Sequence, residues 1–321
     1  MTRQGRHVVF GAGQVGRVLC ARLVAAGFDV RVVSRRRPSS LADGVQWRGA
    51  DVSDSSAARE AASGAAVVYQ CLNAPYSQWP ELFPPLQRGA LSAAEHTGAL
   101  LVSLENVYAY GPTEGRPMTE ELPLAARTVK GRTRATMTEE LLAAEQAGRV
   151  RIAIGRAADF FGAGVTETTL GERVFANALK GKRADFIGDP HLPHTYNYVP
   201  DVATGLMRLG TDDRAIGGIW HLPVAETLTT RQLLELVGAT VGHSVAIRRV
   251  PRLTLRSLGL FNPMIRELGE ISYQFYEPFI LDTGKYREVF GDDTTPLAAA
   301  INETVAWYRT VSEQRGARRP S

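Results

Sequence analysis

The stretch VVFGAGQVG, residues 8–16, decides the fold. An apolar run of strand length ends in glycines spaced GxGxxG, and a helical pattern follows at once. In that setting Gly11 permits a tight turn, Gly13 lets the backbone approach an anion, and Gly16 lets the helix lie close to the strand. Gln14 and Val15 complete the loop, where the first helical turn offers unpaired N–H groups. The expected ligand is the pyrophosphate of a dinucleotide.

Working outward, apolar runs of strand length alternate with helical patterns: HVVF, FDVRVV, GVQWRG, AAVVYQC, ALLVSL and VRIAIG. That rhythm belongs to a parallel sheet. Val15, Leu19 and Leu23 recur every fourth residue, which puts them on one face of a helix that can cover the sheet. The expected fold is α/β: a doubly wound parallel sheet with a smaller C-terminal substrate lobe. Residues 1–160 are read as the cofactor-binding domain and 161–321 as mainly the substrate lobe, with a returning segment at about 195–225 completing the first domain. In the second half the pattern predicts a helix around residues 170–179, a turn at GDPHLPH, a strand at NYV, helices at 201–209 and TTRQLLELVGATV, and strands at GIWHL and VAIRRV.

The second strand ends in VRVV and is followed by Ser34, Arg35, Arg36 and Arg37, where a site selective for NAD places a carboxylate. Arginine's planar fork suits a 2′-phosphate, so NADP is expected over NAD. After the third strand, Asp51 and Val52 offer an edge for the adenine, with Ser53 or Asp54 also read as a helix cap. After the fourth, Leu72, Asn73 and Ala74 fall where the cofactor ribose would pass.

With 44 % hydrophobic and 22 % charged residues the chain reads as ordinary globular protein. The net charge of +4 is spread along it, with QRGARRPS as the main basic cluster, so no nucleic-acid partner is expected. No stretch approaches the ~20 apolar residues of a membrane span, and MTRQGRHVVF carries no long hydrophobic leader. Cys20 and Cys71 form no disulfide framework, which suggests a reduced, cytoplasmic setting. His191 and His194 form HxxH without an evident third ligand, so no metal is expected.

These residues in this order resemble an extended short-chain dehydrogenase/reductase, a Rossmann-fold group similar to the NAD-dependent epimerase/dehydratase family. SLENVYAYGP, GRAADFFGAGV, YNYVPDVATGL and TPLAAAINETVAWYR carry the likeness through most of the chain. The resemblance implies hydride exchange with a nicotinamide, assisted by Ser or Thr, Tyr and Lys. Here those places hold Leu104, with Ser103 one residue earlier, then Lys130 and Arg134, in VKGRTR. Tyr108 and Tyr110 lack a lysine four residues on. The motif is absent, and the chain is read as atypical.

Isoflavone reductase-like relatives also lack the tyrosine pair and are thought to use a lysine near the nicotinamide. That implies a cofactor-contacting or catalytic role for Lys130, as an ammonium beside developing negative charge. Glu105 and Tyr108 join it as catalytic candidates. Glu105 matches one of two acidic positions of dehydratase relatives and Asn106 misses the other; pairing of Glu105 with Arg132 or Arg134 is the structural alternative. Asn106, Asp159, Phe160, Phe161 and His194 are the substrate-side candidates, with Asp159 and His194-Thr195 standing where nucleotide-sugar relatives hold Asn and Arg. The aromatics of ISYQFYEPF fill a core or line a pocket. The expected function is an NADP(H)-dependent oxidoreductase acting on a small organic carbonyl, alcohol or conjugated alkene. The alternatives are a sugar-nucleotide epimerase or dehydratase, and a non-catalytic NADP-binding sensor or regulatory protein. By analogy with dimeric relatives, a homodimer is expected.

Overall fold

The computed structural model describes residues 5–250 and 269–317; the last four residues of the basic tail lie outside them. All six apolar runs form strands: β1 (Arg6–Phe10), β2 (Asp29–Ser34), β3 (Val45–Gly49), β4 (Ala65–Gln70), β5 (Leu100–Asn106) and β6 (Arg151–Ala157). Between them lie α1 (Gln14–Ala25), α2 (Ser55–Ala61), α3 (Trp79–Thr97) and α4 (Val129–Gln146). Then come β7 (Asp159–Phe161), a wide π-turn segment (Gly171–Ala176), α5 (Asn177–Leu179), β8 (Ala184–Ile187), β9 (Pro193–His194), β10 (Tyr196–Tyr198), α6 (Val199–Thr211), β11 (Ile219–His221) and β12 (Leu228–Thr229). The described chain ends with α7 (Thr230–Val241), β13 (Ile247–Val250), α8 (Gly284–Phe290) and α9 (Leu297–Ala317).

Seven strands form one sheet in the order β3-β2-β1-β4-β5-β6-β11, and every pairing is parallel. The strands alternate between two cores because both faces are covered. Val9, Val32 and Val67 pack with Leu19 and Leu23 of α1 and Leu206 and Leu209 of α6. Val8, Phe10 and Val68 face the other way, toward Ala58, Ala90 and Leu141 of α2, α3 and α4. A third core joins Phe161, Val174, Phe175, Leu233, Val237, Ile301 and Val305 in the C-terminal half. The helix expected around 170–179 is largely a π-turn segment, whose wider winding puts both Val174 and Phe175 in that core.

This topology carries the carboxyl ends of β1, β2, β4, β5 and β6 to one edge, where the order reverses between β1 and β4. Open α/β sheets build their crevice at such a switch point.

Candidate functional site

The glycine loop is built for two different reasons. Gly11 has φ +103°, and a Cβ there would lie 2.6 Å from the Cys71 carbonyl oxygen. A Cβ on Gly16 would lie 2.0 Å from the Gly11 oxygen. Both are demanded by the fold itself. Gly13 is different: a Cβ there would meet nothing within 4 Å, so the protein leaves the space over it open. Gly13 also caps α1 without a side-chain hydrogen bond, and no acidic residue follows in the first turn. The amino end of this helix suits a phosphate anion. Gln14 is half-buried at the loop, while Val15 turns into the core.

At the end of β2 the Ser34 hydroxyl donates to the Arg36 carbonyl (2.8 Å) and accepts from the Trp47 indole (3.1 Å). Arg35 and Arg36 are exposed, and neither side chain makes a hydrogen bond or ion pair among the described residues. Arg37 lies 6.0 Å from the Trp47 ring centroid. The Asp51 carboxylate accepts from the Ser53 hydroxyl and N–H (2.7 and 3.0 Å), which lowers its pKa, with a smaller push from Arg35. Asp54 caps α2. Val52 is buried, Leu72 half-buried, and Asn73 exposed with its side-chain oxygen accepting from the N–H of the buried Ala74.

The start of α4 is tucked against the turn that follows β5. Thr128 caps the helix by accepting from the Gly131 N–H, and a Cβ on Gly131 would lie 2.7 Å from the Tyr108 carbonyl oxygen. Lys130 and Arg134, the two residues that the resemblance sets at the Tyr and Lys positions, are both buried there. Lys130 is 1 % exposed; its Nζ donates to Glu270 at 3.0 Å, its backbone N–H donates to the same carboxylate, and the Tyr76 ring centroid is 5.5 Å from Nζ. Arg134 turns inward, its guanidinium 4.7 Å from the Phe83 ring centroid and 3.6 Å from Glu105.

Glu105 is therefore the centre of a buried charge cluster. Its carboxylate accepts from Thr138 (2.8 Å) and Arg156 (3.2 Å) as well as facing Arg134. Of the two expected partners, Arg134 is the one it meets, while the exposed Arg132 donates to the Arg127 carbonyl. Arg156 also lies 4.6 Å from the Tyr110 ring centroid. The Tyr110 hydroxyl bonds His221 Nε2 (2.7 Å), and His221 Nδ1 bonds the Asp282 carbonyl (2.7 Å). Burial lowers the His221 pKa to about 4, so the ring is neutral and Tyr110 is its donor.

Beside Lys130 the Tyr76 and Tyr108 hydroxyls share a 2.9 Å hydrogen bond. Burial pushes the Tyr76 phenol up to about 12 and Tyr108 well above the ordinary range; the Asp159 charge raises both further. These phenols stay protonated at neutral pH. The Asn106 side chain accepts from the Tyr108 N–H (3.2 Å) and so shapes the turn. Asp159 Oδ2 lies 3.1 Å from His194 Nε2. The His194 ring stacks on Tyr196, Phe275 and Phe279 at centroid distances of 4.4, 5.3 and 4.9 Å. Phe275 and Phe279 of the aromatic segment thus wall His194, and Tyr273 answers to the Asp159 charge after burial. Phe160 is half-buried against the first core, whereas Phe161 packs on Tyr198 inside the third. His191 accepts from Arg231 (3.4 Å) and does not converge with His194; among the described residues no group of three or more His, Cys, Asp or Glu is placed to hold a metal.

The structure thus sets Asp159 against His194 and within electrostatic reach of Tyr76, Tyr108 and Tyr273, with Lys130 over the Tyr76 ring, while Glu105 lies in the buried cluster with Arg134, Arg156 and Thr138. Sequence reasoning missed Tyr76, Thr138, Arg156 and Glu270. Arg156 carried the one usable signal, the arginine of GRAADFFGAGV that directly follows the apolar run VRIAIG.

A family model described as NAD dependent epimerase/dehydratase family matches residues 8–221. An uncharacterized protein, y4nL, of Sinorhizobium fredii (strain NBRC 101917 / NGR234) is 24 % identical over 238 residues, 68 % of this chain; the match spans 65 % of that relative's length. Among solved structures, a putative epimerase from Burkholderia cenocepacia J2315 superposes with a TM-score of 0.78 at 20 % identity, covering 95 % of this chain and 98 % of that one. UDP-glucuronic acid 4-epimerase from Bacillus cereus, in complex with NAD, gives 0.76 at 16 % identity, covering 95 % and 99 %. UDP-glucose 4-epimerase from Thermus thermophilus, also with NAD, gives 0.75 at 20 % identity, again covering 95 % and 99 %. At these identities the likeness establishes the fold. No helix among the described residues is long and apolar enough to cross a membrane.

Proposed function

Because the chain belongs to the NAD dependent epimerase/dehydratase family, we propose that it is an NADP(H)-dependent oxidoreductase acting on a small organic carbonyl, alcohol or conjugated alkene. The observation that carries this reading is the open space over Gly13 beside two exposed, unpaired arginines, Arg35 and Arg36. These residues fit a dinucleotide bearing a 2′-phosphate: the α1 amino end takes the pyrophosphate and the arginines take the extra charge. Ser34 and Asp51 border the same end, and Leu72, Asn73 and Ala74 follow β4, where the cofactor ribose would pass. Bound there, the cofactor supplies a hydride donor or acceptor.

This chain's own residues then hold and polarise the substrate. Lys130 contributes a cation fixed by Glu270, and Tyr76 and Tyr108 contribute protonated hydroxyls, all able to stabilise charge on a substrate oxygen. Glu105 holds Arg134 and Arg156 in place by charge: its Oε2 accepts from Arg156 and Thr138, and its Oε1 lies 3.6 Å from Arg134. The carboxylate of Asp159 suits a neutral organic molecule better than a diphosphate, since like charges repel. A sugar-nucleotide epimerase is the second reading, favoured by the solved epimerases of the same fold.

Fluorescence titration with NADPH and NADH tests the proposal. Loss of charge-assisted contacts worth ~1.5–3 kcal/mol means that wild type prefers NADPH by about tenfold or more, and that Arg35→Ala with Arg36→Ala abolishes the preference. Equal affinity for both cofactors refutes the 2′-phosphate assignment, and no binding of either refutes the oxidoreductase reading. Tight binding of UDP-glucose favours the epimerase. Oxidation of NADPH by a carbonyl panel, compared between wild type and Lys130→Ala, then separates an enzyme from a non-catalytic NADP-binding protein.

A further inference from the structure

We propose that His194, oriented by Asp159, is the proton-transfer residue of this site, standing in for the absent tyrosine. The inference rests on the oxidoreductase reading above. The two residues come from separate strands: Asp159 opens β7 directly after β6, and His194 closes β9. Both strands are pinned. The Ala158 N–H donates to Asn197 Oδ1 at 2.8 Å, and Asn197 in turn donates to the Leu222 and Pro223 carbonyls. Around His194, the Phe279 N–H donates to the Pro193 carbonyl and the Thr195 N–H donates to the Phe279 carbonyl.

A carboxylate can only accept, so the 3.1 Å contact assigns the proton to His194 Nε2. In the neutral ring Nδ1 then carries the lone pair, and it makes no hydrogen bond to a described residue. This is the arrangement of a general base whose tautomer is fixed by an acid behind it. The Tyr196, Phe275 and Phe279 rings that pack on His194 bring no charge against it, and Asp159 is the carboxylate in contact. By contrast, His221 has both nitrogens engaged, and Tyr108 is held as a neutral phenol that resists losing its proton.

In the reducing direction, with NADPH bound to supply the hydride to the carbonyl carbon, the imidazolium would give its Nδ1 proton to the carbonyl oxygen, leaving an alcohol and a neutral ring that Asp159 keeps in register. In the oxidising direction, with NADP+ as the hydride acceptor, Nδ1 would take the hydroxyl proton. Water returns the ring to its starting state in either case.

Diethyl pyrocarbonate labelling of the full chain at pH 7, followed by peptide mass spectrometry, reads whether Nδ1 is open to a small molecule. The exposed His96, His191 and His243 serve as reactive controls and the fully engaged His221 as the unreactive one. The expected result is labelling of His194. In the same preparation, His194→Gln lowers kcat for carbonyl-dependent NADPH oxidation by about 10²–10⁴-fold, with the KM for NADPH unchanged, and removes one ionisation from the pH profile. If that variant does not fold, Asp159→Asn carries the test, with kcat down about tenfold or more. Unlabelled His194 beside labelled controls overturns the proposal, as does kcat retained within about threefold in the variant. A protein that binds NADPH but oxidises it with no carbonyl defeats the oxidoreductase reading instead, while labelling still decides whether the His194 nitrogen faces the site.

Discussion

Glu105→Gln removes one negative charge at nearly constant volume and leaves two arginines, 1 % and 0 % exposed, facing each other without a counter-ion. Removing one member of a buried ion pair typically costs about 3–5 kcal/mol, because the remaining charge stays desolvated. Against a total stability on the order of 5–15 kcal/mol, that loss is large. Burial already weakens the Arg134 charge, with Glu105 opposing that effect and Arg156 adding to it. Urea unfolding followed by tryptophan fluorescence should show a fall of about 3–5 kcal/mol, and thermal unfolding a fall of about 4–8 °C for a chain of this size. Thr138→Val, which deletes one donor to the same carboxylate, should cost about 1.5–3 kcal/mol. Replacing the whole cluster, Glu105→Leu with Arg134→Leu and Arg156→Met, should recover most of the loss. A Glu105→Gln protein within about 1 kcal/mol of wild type refutes the reasoning, because two arginines left desolvated without a counter-ion should cost more than that.

Two glycines three residues apart should separate folding from binding. Gly16→Ala forces a methyl 2.0 Å from the Gly11 oxygen and should destabilise the fold in urea, whereas Gly13→Ala, with φ −74° and open space, should leave stability within about 0.5 kcal/mol and weaken NADPH binding about tenfold or more. A Gly13→Ala protein that binds NADPH normally removes the phosphate from that loop. For pH dependence, the folded state keeps His221 neutral down to about pH 4, while the unfolded chain binds that proton below about pH 6.5. The unfolded state therefore holds more protons between those values, so stability rises with pH through the window and is fully present above it. The contribution is about 3 kcal/mol, and His221→Gln should flatten the urea midpoint between pH 4 and 6.5; an unchanged slope contradicts it.

What was legible in the sequence follows the range of the forces involved. The strands of the main sheet and α1 were readable because burial on two faces writes continuous apolar runs and a four-residue repeat directly into neighbouring residues. The glycine loop was readable because a turn needs special residues at fixed offsets, and the packing agrees with the roles read there: a Cβ on Gly11 or Gly16 would strike backbone, while Gly13 faces open space. The charge cluster was only half readable. Glu105 and Arg134 were paired as an alternative, yet Arg156 and Thr138 complete the cluster from β6 and α4, and nothing local marks residues 51 and 33 positions away as neighbours. The same holds where Lys130 meets Glu270 across 140 residues and Asp159 meets His194 across 35. Fold class is thus a local property of this chain, and its chemistry is a long-range one. The two positions that the resemblance assigns to the Tyr–Lys pair illustrate the difference: the sequence shows Lys130 and Arg134 there, but only the packing shows Lys130 held by Glu270 and Arg134 facing Glu105, apart from the two hydrogen-bonded phenols and the Asp159–His194 pair.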